Sequence, residues 1–390
     1  YAWKDGASWR AEVVDDAPGV GQYASIGLDA NGYAHISYYD SAQGDLRYAR
    51  QDETGWHVEV VDDDNDMGLY TSLAVDVSGY AHISYYDATD EELKYTSWSA
   101  SGRNTQSVDK PGNVGLYTSL ALDADGRAHI SYYDDTAEYL KYAHQTGSGW
   151  QIERVDTSSQ YVGRYTSIAL DGNGYPHIAY QDWWNERLKY AQRQADGWHI
   201  EVVDDLLVVG EYASLALDAA NYPHIAYYDA YRSDLKYAVK GAAGWTTVSL
   251  IEDGNVGQYA SLAVDSGGNP HISYYDETHM AQQYAHLSTD GWQVELVGQD
   301  EVQGEQPSLA VDVWGDAHAS FYDPASGDLR YAQRSGIAWS VKTLDSAGDV
   351  GQNSTLVLGG DGRPRVTYYD ATQGDLKYAY EDGSGWQTRV

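Results

Sequence analysis

Polar and apolar residues alternate along this chain with a period of two, in short runs separated by Gly, Asn and Asp. Residues 23–29 read Tyr-Ala-Ser-Ile-Gly-Leu-Asp, so Ile26 and Leu28 point one way while Ser25, Gly27 and Asp29 point the other. Small residues on one face suit a strand in a crowded place. A turn at Asn31-Gly32 leads to a second strand over 34–40, and the loop 41–45 to a third, Leu46-Arg47-Tyr48-Ala49. A Gly turn then opens a fourth strand, from Trp56 to near Asp62. No segment holds a helical period.

The four-strand unit recurs. Its anchor, His-Ile-Ser-Tyr-Tyr-Asp at 35–40, returns with His82, His129, His177, His224, His271 and His318, and Arg365 holds the eighth place. The spacing is 47 residues throughout, except 48 between His129 and His177. Such a period with strand-like content predicts an all-β fold, an eight-bladed β-propeller of four-stranded antiparallel blades. The hairpins inside each unit are short. The link to the next unit is long, as a chain passing from rim to axis requires. The three–four hairpin, however, occurs nine times, because residues 1–16 match 48–62. The chain therefore reads as one propeller over 1–390, with eight repeats in 19–390 and a spare or ring-closing hairpin in 1–18. The spare hairpin is also a means of self-association. The chain opens in mid-pattern at Tyr1, which suggests a processed or trimmed product.

The succession Ser-Leu-Ala-Val-Asp, His-Ile-Ser-Tyr-Tyr-Asp, Asp-Leu-Lys-Tyr-Ala and Gly-Trp resembles the Asp-box repeats of sialidase-like propellers. Residues 327–339, Gly-Asp-Leu-Arg-Tyr-Ala-Gln-Arg-Ser-Gly-Ile-Ala-Trp, come closest. The complete Ser-x-Asp-x-Gly-x-Thr-Trp box is nowhere intact. The resemblance implies a propeller and carries no activity with it.

Charge narrows the partners. With 59 acidic against 24 basic residues the formal charge is -35, a field that repels phosphate backbones and anionic lipid. Nucleic acid and membrane are excluded on this reading; cations, neutral sugars and basic proteins are not. No Cys is present, so thiol chemistry is absent, and no apolar run is long enough for a spanning helix. The 37 Tyr predict a core rich in hydrogen bonds.

Repeated residues read as scaffold. One His per unit on a strand between blades is expected to bond a neighbouring Ser, Tyr or Asp. The Asp closing the second strand (Asp40, Asp87, Asp134, Asp182, Asp229, Asp276, Asp323 and Asp370) is expected to cap its turn. The fourth-strand Trp is expected to pack blades. Tyr–His pairs suit a lyase, but one pair in nearly every unit is no distinctive active site. The densest oxygen cluster is 62–66, where Asp62, Asp64 and Asp66 are candidate ligands for calcium; no other cofactor is indicated.

Function is sought where the repeats diverge. The two–three loop ends in Gly-Asp in units one, seven and eight, whereas units three to six carry Tyr139, then Trp183-Trp184-Asn185-Glu186-Arg187, Tyr231-Arg232 and His279-Met280. Gln181 replaces the second Tyr of unit four, and the only insertion falls near Tyr161, close to Arg164. These changes share one face of blades three to six. The expected site is Tyr139, Arg164, Gln181, Trp183, Trp184, Asn185, Glu186, Arg187, Tyr231 and Arg232, holding a carbohydrate or protein ligand on a secreted or surface-exposed propeller. The alternatives are a glycosidase or polysaccharide lyase using the same sector, and a structural or assembly subunit.

Overall fold

The computed structural model describes residues 2–5, 8–11, 14, 15, 17, 19–64, 66–252, 254–297, 305–312, 314–335, 338–358, 364–382 and 385–389. Among the described residues every regular element is a strand. Blade one is Val20–Leu28, Ala34–Asp40, Asp45–Asp52 and Gly55–Asp62, hydrogen-bonded in that order as an antiparallel meander. Blade two spans 67–109, blade three 114–156, blade four 162–204, blade five 209–251, blade six 256–296, blade seven 305–345 and blade eight 350–389. First strands of neighbouring blades touch all round the ring, while fourth strands scarcely meet. The result is an eight-bladed β-propeller.

The second strand of blade one is buried at every position, because a blade covers each of its faces. Ile36 and Tyr38 share a core with Leu329, Tyr331, Val350 and Tyr368, so the apolar core lies between blades as well as within them. Polar ties run the same way. The Tyr85 hydroxyl donates to Oδ2 of Asp62 at 2.6 Å, and the Lys94 ammonium meets the same oxygen at 2.5 Å. Tyr132 with Lys141 on Asp109, Tyr180 with Lys189 on Asp156, and Tyr227 with Lys236 on Asp204 repeat the arrangement. Each fourth-strand Asp thus anchors two strands of the next blade. In blade one the carboxylate comes from Asp15, which also pairs with Leu376 of blade eight in the register of Asp62 with Leu46. Strand Ser8–Ala11 and strand Gly385–Arg389 both pair with the third strand of blade eight at Glu381.

First strands begin earlier than alternation predicts, at Val20 in place of Tyr23. The ladder slips between Gln22 and Ser25, and Tyr23 in the slip has φ of 53°. This β-bulge breaks the period of two and hides the strand's beginning.

Candidate functional site

The two–three loop of blade four is built on Asp182. Its carboxylate accepts the Asn185 backbone N–H at 3.1 Å and the Asn185 amide at 3.0 Å, which fixes the turn. The turn needs a left-handed residue. Units one, seven and eight supply Gly44, Gly327 and Gly374, with φ between 70° and 79°, whereas blade four uses Glu186 at φ 57°. Tyr161 and Val208, in the links that flank this loop, are also left-handed, at 53° and 56°. A β-branched residue there is a genuine outlier. Such strain persists only where the surroundings impose it.

The loop sets two indoles beside a cavity of about 430 Å³, lined by Gln181, Trp183, Trp184, Glu186 and Val208. The exposed Trp184 stacks on Tyr161 with centroids 6.2 Å apart, and Trp183 meets the same ring edge-on at 5.5 Å. The Arg164 guanidinium lies 5.1 Å from the Trp183 ring and 5.6 Å from that of Tyr133. Among the described residues, Oε1 of Gln181 and Nε of Arg164 have no hydrogen-bond partner, and the Tyr133 hydroxyl has none apart from the Arg164 guanidinium beside it. Elsewhere the second Tyr of the unit donates across the link, as Tyr39 to Asp66, Tyr86 to Asn113 and Tyr228 to Asn255. Tyr161 takes that acceptor's place after Tyr133, and Val208 takes it after Gln181, where four other links have Asp66, Asn113, Asn255 and Asp349. Burial pushes the Tyr133 hydroxyl up to about 12. The cavity thus joins aromatic plates to an unclaimed amide oxygen and a carboxylate, a chemistry suited to a polyhydroxylated ring.

The remaining expected residues stand elsewhere. Arg187 faces Asp182 at the start of the third strand, 3.8 Å away. Tyr139 is half-buried under the Arg154 guanidinium. Tyr231 is 65 % exposed on the blade-five loop, and Arg232 lies 3.5 Å from Asp229. None of these, nor Asn185 or Arg164, lines the cavity.

The repeated residues hold the frame. Nδ1 of His35 accepts the Tyr48 hydroxyl at 2.5 Å, and the same pairing recurs from His82 with Tyr95 to His318 with Tyr331. Nε2 faces a turn carboxylate, such as Asp76 at 3.6 Å from His82, which assigns the tautomer. Burial lowers the His35 and His177 imidazoles to about 4, so they are neutral. Asp40 caps its turn through Ala42 and Gln43, and Arg47 meets its other oxygen at 2.8 Å. Within 62–66, Asp62 is taken by Tyr85 and Lys94, and Asp66 by Tyr39, so these carboxylates turn to different partners while Asp64 stays exposed. Asp87, Asp90 and Glu92 are the one described group whose oxygens converge.

One aromatic array is invisible to a search for divergence. Tyr23, Tyr70, Tyr117, Tyr165, Tyr212 and Tyr259 ring the axial opening, each left-handed at 51–55°. Neighbouring centroids lie 4.6–5.2 Å apart and successive planes turn by 43–50°, close to an eighth of a turn. They rim a cup of about 470 Å³ floored by hydroxyls of residues such as Thr71, Thr118 and Ser214. Their recurrence at one repeat position, broken at Gln306 and Asn353, is the signal in the sequence.

A closed ring of eight blades defines the class, and comparison with solved structures agrees. The Dos1 propeller superposes with a TM-score of 0.59 at 10% identity, covering 98% of this chain and 97% of that one. The WD40 domain of SCAP from fission yeast gives 0.58 at 11%, covering 95% and 97%. An ulvan lyase, a polysaccharide lyase bound to -[GlcA(1-4)Rha3S]-, gives 0.52 at 12%, covering 100% and 97%. At these identities the likeness is one of fold. No family model and no curated protein matches the chain, so the Asp-box resemblance extends to the propeller and no further.

Proposed function

We propose that this protein is a ligand-binding propeller that holds a carbohydrate through blades four and five, on the face that carries the two–three loops. We place it outside the cell or at its surface, where such ligands are met. The observation that carries the reading is the cavity beside Trp183 and Trp184, with Gln181 Oε1 unpartnered at its wall. Exposed indoles are unfavourable in water and offer the turn nothing that Gly does not. Sugar C–H faces stack on such plates, and sugar hydroxyls pair with a buried amide. The saccharide-bound lyase of similar fold supports the choice of ligand class, although a protein ligand would use the same plates.

A glycan array probed with the chain and with a Trp183→Ala, Trp184→Ala variant tests it. We expect glycan binding by the parent and its loss in the variant, with the melting temperature unchanged. Unfolding of the variant, or undiminished binding, would overturn the assignment.

A further inference from the structure

The cleft between blades one and two departs from the repeat in a different way. At the five junctions from blades two–three to six–seven the fourth-strand Trp sits edge-on against the His-paired Tyr of the preceding blade, from Tyr95–Trp150 to Tyr284–Trp339, with interplanar angles of 68–78°. A basic residue stands across the strand from that Trp in three units: Arg193 opposite Trp198, Lys240 opposite Trp245 and Arg334 opposite Trp339. Both members of each pair reach one Glu of the preceding blade, as Arg334 and Trp339 reach Glu295.

In blade two the pair is exchanged between strands, with Arg103 on the fourth and Trp98 on the third. Both still reach Glu59, Trp98 Nε1 at 3.0 Å and Arg103 at 3.4 Å. The indole now lies over Tyr48 at 34°, centroids 4.3 Å apart. Beside it is a cavity of about 390 Å³, whose walls include Tyr33, His35, Tyr48, Arg50, Tyr80 and Trp98.

The hydrogen bonds in this cavity decide its chemistry. Its three carboxylates are engaged: Asp29 by the N–H groups of Asn31 and Tyr33, Asp52 by Thr54 and His57, Glu59 by Trp98 and Arg103. Arg50 is not. Its guanidinium is half exposed, makes no hydrogen bond among the described residues, and comes no nearer to a carboxylate than 3.9 Å, to Asp52. The corresponding positions in blades two to eight are Ser97, His144, Gln192, Val239, His286, Gln333 and Tyr380, and burial holds both of these His below the ordinary imidazole value, so the fixed cation is particular to this cleft. A planar fork of free donors beside aromatic plates matches a planar anion on a flat body.

We infer that the cleft between blades one and two is a second binding site, for a ring compound that carries a carboxylate. It lies at the end of the blades that bears the one–two and three–four turns, opposite the cavity of blade four, and it does not depend on the function proposed there. Sugar acids and aromatic acids share this chemistry.

Titration calorimetry and saturation-transfer NMR with galacturonate, galactose and benzoate test it. We expect at least one acid to bind, galactose to bind about tenfold more weakly than galacturonate or not at all, and Arg50→Gln to weaken the acid about tenfold. Arg50→Lys, which keeps the charge but loses the fork, should fall between. The stronger of the two acids identifies the source. The Trp183→Ala, Trp184→Ala variant should bind the acid as the parent does, which separates this site from the other. Absence of binding by both acids, equal affinity for galactose and galacturonate, or an unchanged Arg50→Gln variant would overturn the proposal.

Discussion

The Tyr38 hydroxyl donates to Oδ2 of Asp15 at 2.7 Å, and Arg47 reaches the same oxygen at 2.8 Å. Blades two to five and eight receive this carboxylate from the blade before them; blade one receives it from the segment that precedes its own first strand. Asp15→Ala would leave a buried phenol without its acceptor, while Arg47 keeps Asp40. We expect a loss of about 3 kcal/mol, the lower end for breaking a buried pair. Adding Tyr38→Phe should recover part of it. Urea unfolding measures both, and a loss below about 0.5 kcal/mol would show that Asp15 does not secure the ring.

Stability should fall as the medium is acidified. Burial lowers the pKa of His35, His82, His129, His177, His224 and His271, with His35 and His177 near 4. The unfolded chain therefore takes up protons below about 6.5, while the folded rings stay neutral until their own lower values. For His35 and His177 stability is lost between about 6.5 and 4, at roughly 1.4 kcal/mol per pH unit for each ring. Melting temperatures followed from pH 7 to 4.5 test this; a flat profile would sink it.

Phe321 stands where the other blades have a Tyr, which in six of them bonds an Asp, and the sequence has Gly298 at the corresponding Asp position. Phe321→Tyr would bury a hydroxyl without its usual acceptor. We expect it to cost about 1–3 kcal/mol by denaturant unfolding. A neutral or stabilising effect would mean that another acceptor lies within reach.

Glu186→Gly should separate stability from binding. At φ 57° a glycine relieves the left-handed strain, for a gain of up to about 1 kcal/mol after its own entropic cost. The same change removes the carboxylate from the cavity wall and should weaken glycan binding. A raised melting temperature with reduced binding is the expected pair of results. A fall in stability would mean that Glu186 makes contacts worth more than the strain.

Much of the scaffold was legible because repetition multiplies weak signals. The alternation Ile26–Leu28 would be slight evidence alone, but eight copies at one spacing predict blades, and the His and Asp roles follow from their recurrence. The candidate cavity was legible only in part. Trp183, Trp184, Gln181 and Glu186 declared themselves by departing from the repeat, and the structure brings them together. Tyr139, Arg187, Tyr231 and Arg232 depart equally, yet their side chains turn to Arg154, Asp182, solvent and Asp229. Divergence marks a loop as free to vary, and does not say where each side chain points.

The sequence by itself determined the unit, the number of blades and the order of strands within them, because a period of two and a period of 47 are properties of a line. Only the tertiary structure decided what meets across blades. Asp62 reads as a metal ligand among its chain neighbours and becomes the anchor of Tyr85 and Lys94. Six tyrosines spread from 23 to 259 become one rim, and an exchange of Trp98 with Arg103 becomes a cleft beside Arg50. These relations depend on closing the ring, which sets side by side residues that the chain keeps a whole repeat or more apart.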